Sequence, residues 1–188
     1  MRILVAGASG VLGRATLPHL DRYQIVGLTR AREKLQLISN LGAEAIVCDV
    51  YDFRTLLQVT QQARPQIVVN LLTDLSTGSA AANNRVRREG ATNLFNAAKA
   101  ACASRLVVES VAFALQGDAA QAVEELEQST AEYPGEAQIL RFGRLWGPGT
   151  AYDTPPQPPT IKVEKAGAEA ARLITDAPPG TYVVTAPD

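Results

Sequence analysis

Three glycines, Gly7, Gly10 and Gly13, follow the apolar run Arg2–Ala6 and lead into a helical pattern that begins at Val11. Between a strand and a helix, such a triplet cradles a pyrophosphate. The first glycine permits the tight turn, the second lets the backbone approach the phosphates, and the third lets helix and strand pack closely. The ligand implied is a dinucleotide, cradled by Gly7, Ser9, Gly10, Val11, Leu12 and Gly13. About 20 residues downstream, dinucleotide sites specific for NAD carry an acid for the ribose 2′-hydroxyl. This chain instead has Thr29-Arg30, followed by Arg32 and Lys34. Arginine attracts a 2′-phosphate and can bond it bidentately. NADP(H) is therefore favoured. NAD(H) stays possible if Arg30 only stacks on the adenine or caps a turn.

Groups able to move a proton are few. Ser110 stands at the carboxyl end of a central strand candidate, where ligands bind in open α/β sheets. Its neighbour Glu109 must point to the opposite face, so if Ser110 faces the cleft Glu109 does not. Tyr152, in a proline-rich loop, can enter the cleft from the lid side. These two, Ser110 and Tyr152, are the catalytic candidates. Thr73, Phe113, Phe142, Arg144, Trp146 and Tyr152 are candidates to line a substrate cleft; for Phe142 and Trp146 core packing is the competing reading. Asn83 and Asn84 read as helix caps. None of the five tyrosines (Tyr23, Tyr51, Tyr133, Tyr152, Tyr182) has a lysine four residues on. The single His19 and the widely spaced Cys48 and Cys102 offer no metal-ligand pattern. No Gly-x-Ser-x-Gly elbow is present.

The elements that would position these groups alternate. Continuous apolar runs at Arg2–Ala6, Gln24–Thr29, Ala45–Cys48, Gln66–Leu72, Arg105–Glu109, Gln138–Phe142 and Thr181–Thr185 read as parallel strands covered on both faces. Helical stretches separate them at Val11–Leu20, Ala31–Leu41, Phe53–Ala63, Ala80–Ala103, Ala119–Glu132 and Glu164–Thr175. Asp52 suits an N-cap and Gly42 a helix C-terminus. The expected fold is α/β: one doubly wound parallel sheet of about seven strands, a Rossmann fold with helices on both faces. All 188 residues form one domain in this reading. Residues 147–160 break the pattern, because their proline density forbids helix and central strand; a loop bordering the ligand cleft is expected.

The net charge of −1 and the lack of long blocks of one sign argue against nucleic acid and anionic membranes as partners. No apolar run approaches the ~20 residues of a spanning helix. The apolar N-terminus is itself the first strand, so neither a signal peptide nor a disulfide framework is expected, and the setting is cytoplasmic.

Several blocks in order resemble the short-chain dehydrogenase/reductase superfamily, most closely its extended and atypical branches, the epimerase/dehydratase-like and NmrA-like proteins. Gly7–Gly13 resembles the glycine motif, and Thr29-Arg30 with Lys34 resembles the strand end of NADP-binding members. Cys48–Asp52 resembles the block whose aspartate, here Asp49 beside Val50, meets the adenine. Asn70–Thr73 resembles the fourth-strand end, where Leu71, Leu72 and Thr73 line the nucleotide. Gly90–Ala98 resembles the long helix that follows, Leu140–Gly149 the block beside the nicotinamide, and Ile161–Ala166 the segment closing the substrate cleft. The resemblance implies a nucleotide contact from Ser110 and pairing of two copies through Ala80–Ala103 and Ala119–Glu132. Three departures stand out. The catalytic Tyr-x-x-x-Lys is missing, and its helix, Ala119–Glu132, holds glutamates where the pair should lie. The active-site serine or threonine aligns with Val111 or Ala112, or with Ser110 one residue earlier. The substrate cap is reduced to the proline-rich loop.

Two functions are compatible with these residues. One is an NAD(P)(H)-binding oxidoreductase, or an epimerase/dehydratase-like enzyme, acting on a small substrate at the sheet's carboxyl edge. The other is a non-catalytic NADP(H)-binding redox sensor or regulatory protein.

Overall fold

The computed structural model describes residues 1–74 and 79–186. Strand β1 (Arg2–Ala6) leads into α1 (Val11–Thr16), extended by a 3-10 turn at Leu17–Leu20. There follow β2 (Gln24–Thr29), a 3-10 turn at Arg32–Lys34, α2 (Leu35–Asn40), β3 (Glu44–Val47), α3 (Phe53–Ala63) and β4 (Ile67–Asn70). Next come α4 (Ala80–Arg85), a π-helical turn at Val86–Gly90, α5 (Ala91–Ala100), β5 (Arg105–Val111) and α6 (Gly117–Ala131). The chain continues through β6 (Glu136–Phe142), β7 (Arg144–Trp146), β8 (Thr160–Lys162), α7 (Val163–Asp176) and β9 (Gly180–Val184).

Seven strands form one sheet in the order β3-β2-β1-β4-β5-β6-β9, every pair parallel. Alternate residues of each strand feed two separate cores. Ile3, Val5, Val69, Val107, Leu140 and Phe142 pack on one face with Leu12, Ile38, Ala170 and Ile174 of α1, α2 and α7. Leu4, Ala6, Val68, Leu106, Val108 and Ile139 pack on the other with Leu56, Leu94, Ala98 and Leu126 of α3, α5 and α6. Burial on both faces is why the strands read as unbroken apolar runs. The doubly wound α/β class follows.

Local signals act as expected at two helix ends. Asp52 accepts from Thr55 N at 3.2 Å and so caps α3. Gly42, at φ +86°, ends the α2 segment in a conformation that side chains resist. Other expectations need correction. Ser79, not Asn83 or Asn84, caps α4; both asparagines are buried. The helix expected over Ala80–Ala103 is interrupted by the π turn. Strand β5 runs two residues beyond Glu109, because β6 is long enough to pair Val111 with Phe142. β7 and β8, a small parallel pair flanking the proline-rich stretch, were not foreseen; each is only three residues long. Among the described residues no helix is long and apolar enough to cross a membrane.

Candidate functional site

Strand β1 is flanked by β2 on one side and β4 on the other, so successive crossovers run in opposite directions from it and leave a crevice at its carboxyl end. The glycines sit there. Gly7 has φ +87°, and a Cβ on it would collide with the Leu71 carbonyl at the end of β4. A Cβ on Gly13 would collide with the Gly7 carbonyl and lie 2.9 Å from Ala8 Cα. Gly10 differs: a Cβ there would meet only the Gly7 carbonyl, at 3.1 Å, within 4 Å. Two glycines thus serve close packing and the third leaves open space, the arrangement a pyrophosphate requires. Gly10 N donates to Gly7 O at 2.9 Å and closes the turn. Ser9 Oγ and Thr29 Oγ1 share a hydrogen bond of 3.1 Å, tying the cradle to β2. Val11 is half-buried and Leu12 buried beneath it.

The ends of β2, β3 and β4 form the neighbouring rim. Arg30 donates to Asp74 Oδ2 at 3.2 Å; its side chain is 57% exposed and that of Asp74 11%. Lys34 is exposed. Asp49 Oδ1 accepts from Tyr51 N at 3.0 Å, and the Val50 carbonyl accepts from Asn93 at 2.9 Å. Arg85 lies over the Tyr51 ring, 4.1 Å from its centroid. Leu71 is buried, Leu72 half-buried and Thr73 exposed. Their segment is held by two asparagine side chains, Asn70 accepting from Leu72 N at 3.1 Å and Asn83 from Asp74 N at 3.0 Å. Sequence reasoning assigned neither of these two side chains a part in the site, because Asn83 reaches Asp74 only across nine positions.

At the end of β5 the pleat sends successive side chains to opposite faces. Ser110 is 3% exposed and donates to Glu127 Oε1 of α6 at 2.5 Å. Glu127 also accepts from Arg141 Nε of β6, at 2.9 Å. Burial pushes the Glu127 carboxyl up, but the hydrogen bonds from Arg141 and Ser110 outweigh it and leave the group below the ordinary glutamate range. Ser110 therefore faces α6. Glu109 and Val111 take the opposite face, that of Val107. Burial pushes the Glu109 carboxyl up to about 7, against the field of Arg87 in the π turn. The α6 residues turned inward are Ala122, Leu126 and Thr130, while Glu124 is exposed and Glu125 bonds Arg88 at 2.5 Å.

The remaining candidates lie around the proline-rich loop. Arg144 donates to the carbonyls of Gln157 and Pro158 at 3.1 and 3.3 Å and stacks 4.2 Å from the centroid of Phe113. Trp146 is half-buried, with Lys162 Nζ 5.8 Å from its ring centroid. Tyr152 is 45% exposed, and its backbone carbonyl accepts from Gly147 N at 2.8 Å. Phe142 is 2% exposed and lies in the α1/α7 core. The Cys48 thiol is pushed up to about 11, by burial and then by Asp52 and Asp49.

The NAD dependent epimerase/dehydratase family matches residues 3–137, from β1 through α6 and into β6. The chain belongs to this family. A Streptomyces 3-diazoavenalumate denitrifying reductase is 35% identical over 187 residues, covering 81% of this chain and 59% of that protein. The chain thus spans about three-fifths of the length of this curated relative. Among solved structures, the UDP-glucose 4-epimerase of Thermus thermophilus in complex with NAD has a TM-score of 0.81 at 16% identity, covering 100% of this chain and 78% of that one. The Bordetella bronchiseptica enzyme WbmG in complex with NAD gives 0.78 at 20% identity, covering 98% and 72%. These two likenesses show the fold.

Proposed function

We propose that the chain is a cytoplasmic NAD(P)(H)-dependent oxidoreductase acting on a small substrate at the carboxyl edge of the sheet. The observation that carries this reading is the open face of Gly10 beside the Leu71–Thr73 backbone at the crevice between β1 and β4. A dinucleotide there would be held by Gly7, Ser9, Gly10, Val11, Leu12 and Gly13 at its pyrophosphate and by Asp49, Val50, Arg30 and Lys34 at its adenosine. When bound in reduced form it supplies hydride. The chain's own residues position the substrate and exclude water, with residues 147–160 as a reduced cap and Phe113, Trp146 and Tyr152 at its edge.

Arg30 supports NADP(H) over NAD(H), and Asp74 moderates that preference by occupying the guanidinium. Pairing of two copies through α5 and α6 belongs to the same proposal. That interface would be polar, since Asn96, Lys99, Gln121 and Gln128 are exposed on those helices.

Purified protein should carry or bind NADPH and oxidise it, followed at 340 nm, with carbonyl compounds. The relative is named a 3-diazoavenalumate denitrifying reductase, so diazo compounds belong on the same panel. Binding without turnover on such a panel would favour the second reading, an NADP(H)-binding redox sensor. That reading rests on Ser110 being tied to α6 and on the missing Tyr-x-x-x-Lys.

A further inference from the structure

We propose that Glu109 is the proton donor of the cleft, in the role of the tyrosine that the family resemblance leads one to seek and that this chain lacks. The inference rests on the oxidoreductase reading above. Its first support is placement. Ala6 pairs with Asn70, and Asn70 with Val108, so Gly7, Leu71 and Glu109 stand at one level on three adjacent strands. With strands about 4.8 Å apart, the Glu109 backbone lies about 10 Å across the carboxyl edge from the glycine cradle. A dinucleotide reaching from that cradle along the edge brings its far ring towards this position.

The second support is that Glu109 has been left available. Its side chain is half-buried and, among the described residues, makes no hydrogen bond and no ion pair. The Arg87 side chain is likewise half-buried and makes neither. A glutamate placed only for stability would be expected to sit against its counter-ion, as Glu127 sits against Arg141. Most other charges near this face of β5 are engaged or turned away; the exception is Arg14 of α1, whose buried Nε has no hydrogen-bond partner among the described residues. Glu127 and Arg141 lie on the opposite face, and Arg88 is bound to Asp118 and Glu125. On α7, Glu164 pairs with Lys162, and Glu169 with Arg172. Among the described residues, Arg87 is the one charge that acts on Glu109.

The consequence is a carboxyl pushed up to about 7, the range in which general acids work best at neutral pH. In reduction of a carbonyl substrate, hydride bonds to the carbon and the C=O π pair passes to oxygen. That oxygen takes the proton of Glu109 and becomes a hydroxyl. The substrate is reduced, the nicotinamide is oxidised, and the carboxylate regains its proton from solvent. Arg87 is a positioning residue in this scheme: its charge stops the carboxyl from rising further.

The test uses carboxyl-labelled protein followed by carbon NMR, with Glu109→Gln assigning the signal. The free chain should show a glutamate titrating at about 7. Its midpoint should be lower in the NADP+ complex than in the NADPH complex, because the two differ by a positive charge on the nicotinamide ring. Equal midpoints in the two complexes would overturn the placement. Failure of the wild-type chain to bind either nucleotide would instead remove the oxidoreductase reading, and this assignment with it. Glu109→Gln should bind NADPH within a few-fold of wild type. It should lose roughly 10²–10⁴-fold in kcat on any carbonyl compound the wild type reduces, and Glu109→Asp should recover part of that loss. A full rate for Glu109→Gln would also refute the proposal.

Discussion

The carboxyl of Glu109 is held above the ordinary glutamate range because burial penalises its charged form more than Arg87 favours it. A group whose folded pKa is raised binds its proton more tightly in the folded state. Its ionisation therefore costs stability as pH climbs from the ordinary glutamate value of 4.5 through about 7. Glu109→Gln removes that cost. The gain in Tm over wild type should be small at pH 5 and clear at pH 8, at roughly 2–4 °C for each kcal/mol recovered; a gain that is equal at both pH values would contradict the raised pKa. Ser110 behaves differently, since its partner Glu127 is ionised across this range. Ser110→Ala should lower stability by about 1–3 kcal/mol through the lost bond to a charged acceptor, read by urea denaturation. Arg30 supplies a third case. Arg30→Ala should weaken NADPH and spare NADH, whereas Asp74→Asn should free the guanidinium and tighten NADPH. The arginine side of the pair is exposed, and pairs of this kind are worth about 1 kcal/mol, so the tightening should be about fivefold. Titration calorimetry with both nucleotides checks the pair.

At the scale of elements, α7 closes against α1 through one small residue. A Cβ on Gly167 would collide with the Ala15 backbone and side chain, so the two helices meet at backbone contact. Gly167→Ala should cost about 1–3 kcal/mol as an overpacked contact, although alanine is the better helix former. A circular-dichroism melt showing stabilisation would refute the close approach. The π turn at Val86–Gly90 is the other decisive element. One extra residue per turn shifts the face each side chain takes. In consequence Arg87 points inward, within reach of Glu109 by its field, while the next residue, Arg88, bonds Asp118 and Glu125 of α6. A regular helical period read along the sequence gives no sign of this, and the helix was accordingly expected to be unbroken.

The whole molecule brings the carboxyl ends of its strands to one edge, and every candidate discussed lies on that edge or on the loop beside it. A homodimer should show twice the 20.0 kDa of the chain by sedimentation equilibrium; a monomeric mass would remove that part of the proposal. Much of this architecture is legible in the amino-acid sequence. The glycine turn, Asp52 and the apolar runs report local requirements, namely a turn, a cap, or burial on both faces, and local requirements are written in neighbouring residues. What remained hidden depends on pairs distant in sequence. Arg30 meets Asp74 across 44 positions, and Ser110 meets Glu127 across 17. Composition and spacing show that Glu109 and Ser110 face opposite ways, but not which of them is turned to α6. Only the packing of α6 against β5 decided that, because a strand presents two equivalent faces until something covers one of them.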